Sequence, residues 1–213
     1  MLLTNKNFPL PLERLEKEDL TISFANATWD DFEKLYCEED FGYRVSYLNG
    51  VITIVSPSKN HEVIADIISD LIKAFCRRFN ILYFPMGSTT LTNKPLAGKE
   101  PDASFTFGEI KDIPDLAIEV AFSSGSLEDL EKYKLLNVKE VWLWKNEKLR
   151  FFVLNKQRDD YEEKERSFYL HNLSAEFLID FVNRSLTESP LTIEKDFNKA
   201  LSAIASKIDD VKH

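Results

Sequence analysis

The chain has 213 residues, enough for one domain with a sizeable core. A formal charge of −9 excludes a protein that coats nucleic acid by charge alone, though not an enzyme that touches it through a local basic patch. The two cysteines, Cys37 and Cys76, lack metal-type spacing and predict reduced, buried thiols in a cytoplasmic protein.

Residues 1–25 show no clear period and no signal-peptide pattern, and are expected to form an arm ahead of a single domain over 26–213. No apolar run approaches membrane-spanning length. Thr28 before Trp29-Asp30-Asp31 predicts an N-cap and a helix over 29–37, with acids at its positive end. Asn49-Gly50 accepts positive φ at both central turn positions, so 44–48 and 51–55 read as a hairpin. Ser58 is the expected cap of a helix over 59–79, where Ile64, Ile68, Leu71 and Phe75 recur at helical spacing. Its charged stripe reads as a solvated face, with Glu62 at its start able to look into an acidic site. His61 beside it reads as a satisfied structural histidine. Residues 81–84 predict a short strand, 87–91 an extended piece and 93–98 a loop.

The centre of the chain carries the chemistry. Pro101-Asp102 and Pro114-Asp115 each open an apolar-rich run that alternates with period two, and proline suits a strand entry because it has no N–H to give. With 108–113 as the connection, Asp102 stands opposite Glu119, Ser104 opposite Ala117 and Phe105 opposite Leu116. Ala103, Phe105, Phe107, Leu116, Ile118 and Val120 then share the apolar face. Like charges directly opposed across strands are destabilising, and a divalent cation is the simplest offset for two hard carboxylates.

Further on, a turn at 123–126 is expected to cap a helix over 127–136. A strand over 138–145 sets Trp142 and Trp144 against Val141 and Leu143. Residues 149–154 and 167–170 predict strands about a turn at Asp159-Asp160, and 175–183 and 193–208 predict a C-terminal helical extension. Strands interleaved with helices indicate an α/β domain with a mixed sheet. No zinc spacing, Ser-His-Asp arrangement or phosphate-cradling glycine loop is visible.

From about Trp29 to Phe197 the chain resembles the Uma-type family of restriction-endonuclease-like proteins, within the PD-(D/E)XK nuclease superfamily. The pieces that carry the resemblance are Trp-Asp-Asp-Phe-Glu-Lys-Leu at 29–35, Tyr-Leu-Asn-Gly at 47–50, Ser-Pro-Ser at 56–58 with His61-Glu62, Gly-Ser-Thr-Thr-Leu at 87–91, Glu-Pro-Asp-Ala-Ser-Phe at 100–105, Ile-Pro-Asp-Leu-Ala-Ile-Glu-Val at 113–120 and Val-Lys-Glu-Val-Trp at 138–142.

The resemblance implies a restriction-endonuclease-like core, a mixed β-sheet flanked by helices, acting as a metal-dependent endonuclease on DNA. It implies Asp102 and Glu119 as ligands of Mg²⁺ or Mn²⁺, with the Val120 backbone carbonyl as a further ligand, and a homodimer that cuts two strands; Glu62, from its place at the helix start, is an additional candidate ligand. Ala121 stands where the superfamily carries its lysine, and Asp129 where this family moves it, so Lys132 is the expected catalytic cation. Ser46 replaces a common glutamate. Lys94, Lys99, Lys132, Lys134 and Lys139 are candidates for a cationic rim. Two alternatives stay open: the departures favour a degenerate nuclease fold that binds nucleic acid or a protein without cutting, and the net acidity favours a structural domain with no nucleic-acid role.

Overall fold

The computed structural model describes residues 17–37, 42–122 and 127–211. Residues 1–16 of the expected arm and the turn at 123–126 lie outside the described residues. The later part of the arm is a strand, β1 (Leu20–Ala25), paired antiparallel with β3 (Val51–Ser56). Its residues from Ile22 onward are exposed.

Helix α1 (Trp29–Tyr36) starts at a capping box, in which Thr28 accepts from the Asp31 N–H and Asp31 accepts from the Thr28 N–H. It packs on β2 (Arg44–Leu48), which forms the expected hairpin with β3 through Asn49 (φ 45°) and Gly50 (φ 91°). The stretch at 91–99 is a hairpin rather than a loop: β5 (Leu91–Asn93) pairs with β6 (Ala97–Lys99), which also pairs with β2. The sequence hid it because each strand has only three residues and β6 reads Ala-Gly-Lys. Gly98 is required there, since a Cβ would sit 2.3 Å from the Phe32 ring. These five strands form one sheet, in the order β1-β3-β2-β6-β5.

The second sheet has six strands, ordered β11-β10-β9-β8-β7-β4. They are β4 (Tyr83–Pro85), β7 (Ala103–Phe107), β8 (Leu116–Ala121), β9 (Glu140–Lys145), β10 (Lys148–Leu154) and β11 (Tyr161–Lys164). All its pairs are antiparallel except β8–β9, so the sheet is mixed. The strand expected at 167–170 is instead a turn whose N–H groups serve Glu140, and the polar Tyr161–Lys164 takes the edge.

Helix α2 (Lys59–Arg78) covers one face of this sheet, with Ile64, Ile68, Leu71 and Phe75 packed among Phe105, Leu116, Ile118, Val120, Trp142 and Trp144. Helices α4 (Ala175–Arg184) and α5 (Pro190–Val211) join the same core. Helix α3 (Leu127–Leu135) covers the other face, where Tyr133 and Leu130 meet Ala117, Ala121, Val141 and Leu143. Among the strands α3 lies nearest β6, and the small side chains of Ala117 and Ala121 leave room on β8 for Tyr133 and Leu130. Cys76 is buried as expected, but Cys37 is exposed. No helix among the described residues is long and apolar enough to cross a membrane.

Candidate metal and phosphate site

The antiparallel register brings the two acids together. Ala103 pairs with Ile118, Ser104 with Ala117 and Phe105 with Leu116, as alternation predicts. Asp102 follows one step outward, its N–H donating to the Ile118 carbonyl at 3.0 Å, and its side chain lines the same cavity as Glu119. The Val120 N–H donates to Asp102 Oδ2 at 2.7 Å and clasps the side chain to the partner strand. Both acids line a cavity of about 140 Å³ between the sheets, the start of α2 and α3.

Protein cations meet both carboxylates. Arg44 Nε lies 2.9 Å from Asp102 Oδ1 and its Nη2 reaches Glu62 at 3.2 Å. Lys99 Nζ lies 2.9 Å from Glu119 Oε2 and 3.4 Å from Asp129 Oδ1. Tyr133 donates its hydroxyl to Glu119 Oε1. His61 bridges two acids: Nδ1 is 3.1 Å from Asp19 Oδ2, and Nε2 is 2.9 Å from Asp102 Oδ1, off the line of a directed hydrogen bond. Asp19 is itself fixed by the N–H groups of Ser58 and Phe122, which tie the lead-in of β1 to the starts and ends of neighbouring elements.

These contacts set the charges. Burial resists ionising Asp102, but His61, Arg44 and the Val120 N–H outweigh it and lower its pKa. Glu119 goes the other way. Burial and the negative charges of Asp102 and Asp129 outweigh Lys99 and push it up to about 7. Burial pulls His61 down, but Asp102 and Asp19 raise it to about 10, so it is an imidazolium at neutral pH. Lys99 and Lys132 overcome burial to hold Asp129 at about 2.

The remaining predicted residues divide. Lys132 is buried near the pocket, but its Nζ goes to Ser46 Oγ at 3.0 Å and Asp129 Oδ1 at 2.8 Å. Glu62 is half-exposed and bound to Arg44, outside the cavity lining, so it joins the site only through that arginine. Of the expected basic rim, Lys99 and Lys132 face the cavity. Lys94 pairs with Glu33, Lys134 with Glu131, and Lys139 donates to the Leu154 carbonyl. Sequence reasoning missed Arg44, Asp19 and the role of His61. Only the proximity of His61 to the Ser58 cap hinted at the last of these.

Among the described residues no three His, Cys, Asp or Glu side chains are grouped to hold a metal ion. The donors do fit Mg²⁺ or Mn²⁺, because such ions bind through one or two carboxylates and keep several waters for substrate phosphate to displace. The wall also has room for positive charge. Among the described residues lining it, the acids Asp19, Glu100, Asp102, Glu119, Glu128 and Asp129 outnumber the cations Arg44, His61, Lys99 and Lys132. Burial first, and then the charges of Asp102 and Asp129, keep Glu119 raised there despite Lys99.

Residues 29–187 match the family Uma2, described as a putative restriction endonuclease. The fold also matches the crystal structure of a putative nuclease belonging to DUF820 from Anabaena variabilis, at 18% identity and a TM-score of 0.50, covering 73% of this chain and 98% of that one. No curated protein matches the sequence.

Proposed function

This chain belongs to the Uma2 family of putative restriction endonucleases, and from that premise we propose that it is a divalent-metal-dependent nuclease hydrolysing phosphodiester bonds in DNA. The observation that supports this reading is that Asp102 and Glu119 line the wall of one acidic cavity. In this reading Asp102 and Glu119 hold Mg²⁺ or Mn²⁺, with the Val120 carbonyl as a further ligand. When bound, the ion supplies a Lewis acid for a phosphate oxygen and acidifies water.

The chain's own residues do the rest. His61 and Arg44 hold Asp102 ionised and fixed. Tyr133 orients the Glu119 carboxylate from α3. Arg44, Lys99 and Lys132 give an otherwise acidic protein local positive charge for a phosphate. We place this activity in the cytoplasm, and a homodimer would set two sites on the two strands of a duplex.

Supercoiled plasmid incubated with the protein and Mn²⁺ or Mg²⁺ tests the reading. Nicking or linearisation that disappears in Asp102→Asn and Glu119→Gln supports it. Cleavage that persists in both variants overturns it. One observation favours a second reading, a non-cutting nucleic-acid-binding module: every oxygen of the two carboxylates already has a protein donor. DNA retained by wild type with no cleavage in either metal would select that reading.

A further inference from the structure

Arg44 divides between Asp102 and Glu62, His61 divides between Asp102 and Asp19, and Lys132 goes to Ser46 and Asp129 rather than to either acid. Lys99 is placed differently. Its Nζ sits at 2.9 Å from Glu119 and lines the cavity that both acids face. The strand beneath it is fixed on both sides, since Lys99 pairs with Ser46 on β2 and with Leu91 on β5. Gly98 beside it lies under the Phe32 ring, which leaves β6 no room to shift. Asp129 holds the ammonium from the α3 side at 3.4 Å, and the Tyr133 ring flanks it at 5.7 Å.

We propose that Lys99 is the catalytic cation of this site, the group that meets the scissile phosphate and its attacking water beside Glu119. The inference rests on the nuclease reading above. A phosphodiester approaching two carboxylates is repelled, and the negative charge on its oxygens grows in the transition state. A fixed ammonium in a poorly solvated pocket offsets that growth without reorganising. An ammonium has three N–H donors; Glu119 and Asp129 take two, and the third serves a water or a phosphate oxygen. One water is consumed in the hydrolysis. Its oxygen bonds phosphorus, the ester oxygen leaves with the electron pair and takes a proton, and the second proton goes to solvent. Asp129 stands on α3 where the family's lysine was expected, and it draws the ammonium groups of Lys99 and Lys132 towards one carboxylate. The cation therefore reaches Glu119 from the opposite element, β6.

Two readouts on the whole 213-residue chain test this assignment: plasmid cleavage and Mn²⁺ affinity by electron paramagnetic resonance. Lys99→Met is expected to lower kcat on the order of a hundredfold. Its Mn²⁺ binding should be unchanged or tighter, because a competing cation beside Glu119 is gone. Lys132→Met should lose at least tenfold less activity than Lys99→Met. Lys99→Cys treated with 2-bromoethylamine should recover cleavage, in a Cys37→Ser background so that the exposed thiol does not react. Lys99→Met that cuts as wild type does would overturn the assignment. So would a variant that loses Mn²⁺ binding and cleavage together and is not rescued, which would mark a structural ion pair. A wild type that binds Mn²⁺ through Asp102 and Glu119 but cuts nothing would instead overturn the nuclease reading itself.

Discussion

Glu119 on β8 and Glu140 on β9 are both buried, on strands that pair in parallel, and burial raises the pKa of both. Their surroundings differ in kind. Glu140 accepts from the Trp142 indole at 2.8 Å, the Ser167 hydroxyl, and the N–H groups of Phe168 and Tyr169. Those donors are neutral, and Glu140 lines none of the cavities described. Glu119 meets a lysine and a tyrosine, faces a second acid, and opens onto a cavity. A buried glutamate is therefore no site signal in itself. A carboxylate closed by neutral donors organises a turn, whereas one set among mismatched charges at a cavity wall is available for chemistry.

Substituting the two glutamates should separate these roles most sharply. Glu119→Gln and Asp102→Asn should each cut activity on the order of a thousandfold in a plasmid assay while the fold survives. Glu140→Ala should do the reverse. It strands the indole, hydroxyl and two N–H donors, so chemical denaturation should show a loss of about 2–4 kcal/mol. Cleavage per folded molecule should stay near wild type. Equal activity losses at 119 and 140 would break the comparison.

A smaller effect is expected one step behind the site. Asp19→Ala frees His61 from one of its two carboxylates, and removing such a supporting partner typically costs about tenfold or more in activity or metal affinity. A truncation assay that keeps full activity without Asp19 would remove β1 and its lead-in from the site.

The pH dependence sharpens the contrast further. Glu119 titrates near 7 when folded, above its ordinary 4.5, so the folded state holds the proton longer. Stability should fall as pH rises from about 4.5 to 7, and Glu119→Gln should flatten that slope in thermal melts. His61, raised from 6.5 to about 10, adds stability that is complete below 6.5 and lost as pH climbs towards 10. His61→Gln should remove that second decline. Mn²⁺ affinity should rise through pH 7 as Glu119 gives up its proton.

Much of this arrangement was legible in the sequence, for physical reasons. Period-two alternation and Pro-Asp entries fix the faces and partners of β7 and β8, because a one-residue slip would invert every side chain. Thr28, Ser58 and Asn49-Gly50 mark their caps and turn by chemistry that works locally. What stayed hidden depends on distant packing. β6 is three residues long and carries no alternation, so Lys99 reads as a loop lysine. Asp19 and His61 are separated by 42 positions and join only when β1 docks. Lys132 shares a helix with Tyr133, but helical geometry sends one to Ser46 and the other to Glu119.

The central claim is that the opposed acids share one divalent cation. A crystal soaked in manganese and measured for anomalous scattering tests it directly. A peak is expected within about 2.5 Å of an oxygen of both Asp102 and Glu119. Full-occupancy Arg44 and Lys99 contacts with no peak between the two carboxylates would contradict it.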